Sequence, residues 1–161
     1  MKILVAVDGS ENSDHAVQYV STMLKDAADA KITLFHVLTA LPAELLEHGG
    51  SENPATEVQL GAQLRKDQDA WYMKEREAKC GILTRARNIL AKAGFDTNRV
   101  SLKFGYEEDV ARNILEEARD GGYSTVVVGR HGASRIKRFF GGGVTDQVLG
   151  GCTGVTIWIV E

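Results

Sequence analysis

Short apolar runs alternate along this chain with stretches in which apolar residues recur every three or four positions. The first run, Lys2 to Val7 (KILVAV), predicts a strand; Asp8-Gly9-Ser10 then turns the chain, and Ala16, Val17, Val20, Met23, Leu24 and Ala27 mark one face of a helix. Lys31 to Leu38 (KITLFHVL) is β-branched and apolar again, so a second strand follows. Residues 39–56 carry Pro42, Gly49, Gly50 and Pro54 among polar neighbours and read as an irregular insertion within the domain. From Glu57 to Ala93 strong helix formers dominate and Gly94 supplies a stop, with Gly61 and Gly81 as the weak points of one long helix. A third strand at Val100 to Phe104 precedes a helical stripe of Val110, Ala111, Ile114, Leu115 and Ala118, which ends at Gly121-Gly122. Tyr123 to Gly129 gives a fourth strand, Thr145 to Leu149 a short helix, and Val155 to Val160 (VTIWIV) a fifth strand.

Strands that are apolar nearly throughout, interleaved with helices, predict an α/β fold: a doubly wound five-stranded parallel sheet with helices on both faces. The whole chain, residues 1–161, is the length of one domain around one core. Ligands of such sheets bind outside the carboxyl ends of the strands, where the strand order reverses. Four segments qualify: Asp8 to Ser10, Val37 to Thr39, Gly105 to Glu107, and the stretch after the fourth strand. The last is the richest in ligand chemistry.

Composition narrows the classes further. Hydrophobic residues at 43% and charged residues at 25% are the mix of a folded soluble protein. A net charge of −3 gives no general basic field, which argues against nucleic acid and anionic membranes as partners and leaves any attraction for phosphate to local groups. No apolar run approaches membrane-spanning length and the opening run meets Asp8 too soon for a secretory core, so the expected location is the cytoplasm. Cys80 and Cys152 lack a metal-ligand spacing and are expected as buried thiols.

The stretch Val126 to Gly151, VVVGRHGASRIKRFFGGGVTDQVLGG, sets glycines and cations beside a strand end. Gly129, Gly132 and the triplet Gly141-Gly142-Gly143 can present backbone N–H groups to an anion without a Cβ in the way, and the helix starting near Gly143 aims its positive end there. Arg130, Arg135, Lys137 and Arg138 add local positive charge or are solvated loop charges, and His131 fits phosphate contact and solvent exposure equally well. Phe139 and Phe140 read as packing residues. No Gly-Lys-Ser or Gly-Lys-Thr follows the glycines, so this is not a P-loop, and Asp8-Gly9-Ser10 lacks the dinucleotide fingerprint, which excludes NAD and FAD.

Gly129-x-x-Gly132, nine residues, then Gly142 and a small residue resembles the nucleotide loop of the universal stress protein family, whose pattern closes on Gly-Ser or Gly-Thr. Asp8 after the first strand, the FHV end of the second and the closing VTIWIV strand match as well, so the likeness covers nearly the whole chain. It implies a Rossmann-like, adenine nucleotide alpha hydrolase-like domain that binds ATP, or AMP or ADP, with Mg2+ as a possible companion. Carried over, it sets the main chain of Val7 and Asp8 beside the adenosine and gives the Val37 main chain the adenine to read. Gly129, Arg130, His131 and Gly132 would then follow ribose and phosphates, with Gly142, Gly143, Val144 and Thr145 donating to the phosphates. The family's hydroxyl position is Gly143 here, so one side-chain bond to phosphate is missing; Thr145 offers a hydroxyl two residues later. The likeness also implies a homodimer built on the closing strand, whose apolar side chains and unpaired backbone suit a second copy.

Other polar residues have plainer roles. Asp8 fits a ligand or magnesium contact, or a helix cap in competition with Ser10 and Ser13. His36 lies within a strand and reads as a satisfied sheet residue, Trp71-Tyr72 as packing, and Glu107, Glu108 and Asp109 as dipole-complementing residues at a helix start. No Ser-His-Asp or metal-ligand arrangement is defensible, so the sequence supports at most slow ATP hydrolysis or autophosphorylation, with Ser134 or Thr145 as acceptors. Two functions follow: an ATP-binding module whose occupancy modulates conformation and the choice of a protein partner in a stress response, or a nucleotide-free stress protein acting through its dimer surface. A phospho-receiver is weaker, because the third strand ends at Phe104-Gly105 with no aspartate to phosphorylate.

Overall fold

The computed structural model describes residues 1–38, 40–47, 49–106, 109–130 and 143–161. Five parallel strands, β1 (Lys2–Ala6), β2 (Lys31–Val37), β3 (Val100–Gly105), β4 (Thr125–Gly129) and β5 (Thr156–Val160), form one sheet in the order β3-β2-β1-β4-β5. Helices α1 (Glu11–Leu24) and α2 (Pro54–Lys92) cover one face, and α3 (Val110–Asp120) and α4 (Val144–Gly151) the other. The expected doubly wound α/β sandwich is the observed one.

The apolar run of β1 is continuous because each face of the central strand meets a different helix layer. Ile3, Val5 and Val7 pack with Val17 and Val20 of α1 and Leu83, Ala86 and Leu90 of α2, whereas Leu4 packs with Ala111, Ile114 and Ala118 of α3 and Val148 of α4. Each valine, leucine or isoleucine among them, removed from water, stabilises the fold by about 1.5–3 kcal/mol. The edge strands lack this double cover: Ser101, Leu102 and Lys103 of β3 and Ile159 of β5 are exposed.

The long helix starts earlier than its composition indicates and runs unbroken through Gly61 and Gly81 for 39 residues, about 58 Å. Two interior glycines cost about 1 kcal/mol each. They are tolerated because Asn53 caps the first turn by accepting from Ala55 N at 3.0 Å, Pro54 suits the first helical position, and the last turns dock Leu83, Ala86 and Leu90. Asp14 of α1 pairs with Arg85 of α2 above that seam. Among its described residues the insertion forms a 3-10 turn at Ala43–Leu45, whose Leu45 carbonyl accepts from Gln68 Nε2 at 2.7 Å.

The cysteines correct one expectation. Cys80 is exposed on the outer side of α2 and Cys152 is half-buried after α4, where burial pushes its thiol pKa up. The covered line of α2 runs through Glu75, Lys79, Leu83, Ala86 and Leu90, and Cys80 lies beside it, so its average preference for the interior has no outlet there.

Candidate functional site

The strand order reverses between β1 and β4, and three carboxyl ends lie side by side there: β2, β1 and β4. With strands about 4.8 Å apart, Val37 and the end of β4 stand roughly 10 Å from each other, a distance a nucleoside can bridge.

On the β1 side, Val7 is locked twice to β2. Its N–H donates to Phe35 O at 2.8 Å and its carbonyl accepts from His36 Nδ1 at 2.7 Å, which assigns the His36 proton to Nδ1. His36 is buried, as expected of a sheet residue, and burial is the main force holding its pKa below the usual 6.5. The Val7 bond opposes that shift, Lys79 of α2 adds to it, and Asp8 and Glu75 oppose it. Asp8 follows, its Oδ1 accepting from Ser10 N at 3.0 Å, and Ser10 rather than Asp8 caps α1 by accepting from Ser13 N at 3.2 Å. Gly9 makes this sharp exit possible, with φ of 79° and Ile82 of α2 only 3.3 Å from the position a Cβ would take.

On the β4 side, Gly129 presses against the start of α1. A Cβ there would lie 3.0 Å from the carbonyl carbon and oxygen of Asn12, so glycine is needed for close approach. The Gly129 carbonyl accepts from Thr145 Oγ1 at 2.7 Å, which pins the first turn of α4 over the strand end. Thr145 therefore spends its hydroxyl proton on main chain and keeps only lone pairs for other partners. Gly143 is the N-cap of α4 and has no side chain to cap with, while Asp146 Oδ2 accepts from Gly143 N at 3.2 Å. Val144 is exposed at the helix start. Arg130 donates through its main chain to Val160 O at 2.8 Å and through Nη1 to Glu161 Oε2 at 3.0 Å. Val37 is half-buried at the end of β2, opposite Gly105 of β3.

Val7, Asp8 and Val37 thus lie at the carboxyl ends of β1 and β2, and Gly129, Arg130, Gly143, Val144 and Thr145 at the end of β4 and the start of α4. His131, Gly132 and Gly142, with Ser134, Arg135, Lys137, Arg138, Phe139, Phe140 and Gly141, lie outside the described residues. Sequence reasoning missed three partners: Asn12 behind Gly129, Asp146 on the Gly143 amide, and Glu161 on Arg130. Asp146 alone had a local signal, its place three residues after a helix cap. Trp71 and Tyr72 form edge-on aromatic contacts continued by Tyr106 after β3, at centroid distances of 5.3 and 4.9 Å. Among the described residues, no group of three His, Cys, Asp or Glu side chains is arranged to hold a metal ion, and no helix is long and apolar enough to cross a membrane.

A doubly wound parallel sheet with its crevice between β1 and β4 defines a Rossmann-like α/β domain. The chain belongs to the universal stress protein family, whose model matches residues 1–156. Solved structures of the same fold include a universal stress protein in complex with cAMP, 20% identical, with a TM-score of 0.63 over 100% of this chain and 96% of that one. A universal stress protein from Archaeoglobus fulgidus in complex with dAMP is 15% identical, TM-score 0.58, covering 100% and 98% of the two chains. One from Arabidopsis thaliana with AMP bound is 17% identical, TM-score 0.60, covering 99% and 90%. No curated protein matches the chain significantly.

Proposed function

We propose that the chain is a cytoplasmic adenine-nucleotide-binding module, binding ATP, or AMP or ADP, whose occupancy biases the crevice loop and thereby its choice of protein partner under stress. The observation that carries this reading is the Thr145 bond to Gly129, which holds the positive end of α4 at the reversal point beside the ends of β1 and β2. Similar folds solved with cAMP, dAMP and AMP support it. In this reading the Val7 main chain and Asp8 border the adenosine, the Val37 main chain reads adenine, and Gly129, Arg130, His131 and Gly132 follow the ribose and phosphates. Gly142, Gly143, Val144 and Thr145 meet the phosphate chain. The fit is favourable at Gly143, where the space around an added Cβ is open. Mg2+ would enter with the phosphates, the Asp8 carboxylate being a hard oxygen donor of the kind it requires. Both cysteines are free thiols, in keeping with a reducing compartment.

The mechanism is a population shift, limited to the difference in nucleotide affinity between the open and enclosing loop states. Thermal unfolding with ATP, AMP and adenosine, with and without Mg2+, tests it. A ligand at 100 times its Kd adds about 2.7 kcal/mol of stability, and no shift at millimolar ATP removes the proposal. Mass spectrometry of the ligand retained on gentle purification would then name the nucleotide.

Two hydrogen bonds favour a second reading, a nucleotide-free stress protein: Gly143 N is already held by Asp146, and Thr145 has committed its hydroxyl proton. Either reading includes a homodimer through β5. That edge strand leaves Ile159 exposed, and Trp158 meets Tyr19 of α1 edge-on at 6.0 Å beside an open groove of about 320 Å³ that includes Met23 and Val160. A second copy pairing on the edge would cover these side chains.

A further inference from the structure

We infer that Glu161 is a built-in anionic competitor for the ligand's phosphate chain at Arg130, an inference that rests on the nucleotide reading above. Arg130 stands on the seam between β4 and β5, where Gly129 lies opposite Val160 and the Arg130 N–H donates to the Val160 carbonyl. Its backbone is therefore fixed, and its guanidinium has two possible anions to serve. One is the Glu161 carboxylate, on Nη1 at 3.0 Å. The other is a phosphate at the first turn of α4, which Thr145 ties to the carbonyl of the residue directly before Arg130.

The contest is close enough to be switched by a ligand. The side chains of Arg130 and Glu161 are 55% and 74% exposed, and ion pairs of that kind are held by a factor of about five at most. A terminal phosphate carries more charge than a carboxylate and offers three oxygens to a planar guanidinium, so it wins the arginine once bound. Each binding event must first release Arg130 from Glu161, and affinity for a phosphorylated ligand is reduced by that release. Adenosine has no anion to offer and leaves the pair intact. Glu161 therefore lowers the preference for nucleotides over nucleosides and links occupancy of the crevice to the end of the edge strand.

The test is calorimetric titration of ATP and of adenosine into the wild-type protein, Glu161→Gln, Arg130→Gln and the double variant. The expected result is an ATP Kd about two- to fivefold lower in Glu161→Gln, an unchanged adenosine Kd, and no gain from Glu161→Gln in the Arg130→Gln background. An unchanged ATP Kd in Glu161→Gln, an equal shift for adenosine, or a gain that survives without Arg130 overturns the inference. ATP binding to the wild type with no Glu161 effect defeats this inference alone, whereas a wild type that binds no ATP at millimolar concentration defeats the nucleotide reading and this inference together. Both side chains are exposed, so unchanged thermal midpoints without ligand will confirm that the variants fold.

Discussion

Replacing Gly143 with serine tests the phosphate cradle at its weakest point. Gly143 has φ −60° and ψ 174°, which any residue adopts without strain, and nothing lies within 4 Å of an added Cβ. The serine oxygen would accept from the N–H three residues on, completing a reciprocal cap with Asp146, whose carboxylate already holds Gly143 N. Its proton would remain free for a phosphate oxygen. The cap adds a few tenths of a kcal/mol, a rise in Tm of about 1 °C for a chain of this size. The charge-assisted bond adds about 1.5–3 kcal/mol to ATP binding, a tenfold to hundredfold lower Kd. Calorimetry with ATP reads the gain, adenosine serves as the ligand without phosphate, and Gly143→Ala separates the hydroxyl from the mere presence of a Cβ. If Gly143→Ser folds with its small Tm gain and the ATP Kd does not move, or adenosine tightens equally, phosphates do not lie at the start of α4.

Three further substitutions probe the frame around the crevice. Gly129→Ala forces a methyl group against the Asn12 main chain at 3.0 Å, an overpacking cost of about 1–3 kcal/mol that will lower Tm by roughly 3–10 °C; an unchanged midpoint would deny the close approach. His36 has a folded pKa depressed chiefly by burial, so the unfolded chain binds its proton first as the solution is acidified. Its contribution to stability is complete above the unfolded value of about 6.5 and is lost as pH falls from there towards the lower folded value. Urea midpoints between pH 5 and 8 will show this slope in the wild type and a flatter one in His36→Asn, and identical profiles would refute it. Ile159→Lys places a charge on the exposed β5 edge, so light scattering should report twice the 17.5 kDa chain mass for the wild type and the single mass for the variant. A monomeric wild type would discard the dimer.

The periodicities were sufficient for the fold, because strands buried on both faces and helices buried on one leave different spacings in the chain. β1 and the stripe of α3 were legible on that basis alone. The boundaries were less so: α2 begins at Pro54 rather than Glu57 because of the Asn53 cap and a proline at the first helical position, which the helix-former count does not register. The glycines of residues 129–143 pointed to an anion site, but not to what each one does. Gly129 is small because Asn12, more than a hundred positions away, packs against it, and no local pattern carries that constraint.

Taken alone, the sequence determined the class of fold, the family likeness and the strand ends at which a ligand could lie, since each of these depends on local spacing and residue type. Only the tertiary structure decided how the polar groups there are spent. Thr145 binds the Gly129 carbonyl, Asp146 the Gly143 amide and Glu161 the Arg130 guanidinium, while His36 binds the carbonyl of Val7. Hydrogen bonds and charges act through space over a few ångströms, and it is the strand order β2-β1-β4-β5, rather than proximity along the chain, that brings the last two of these pairs together.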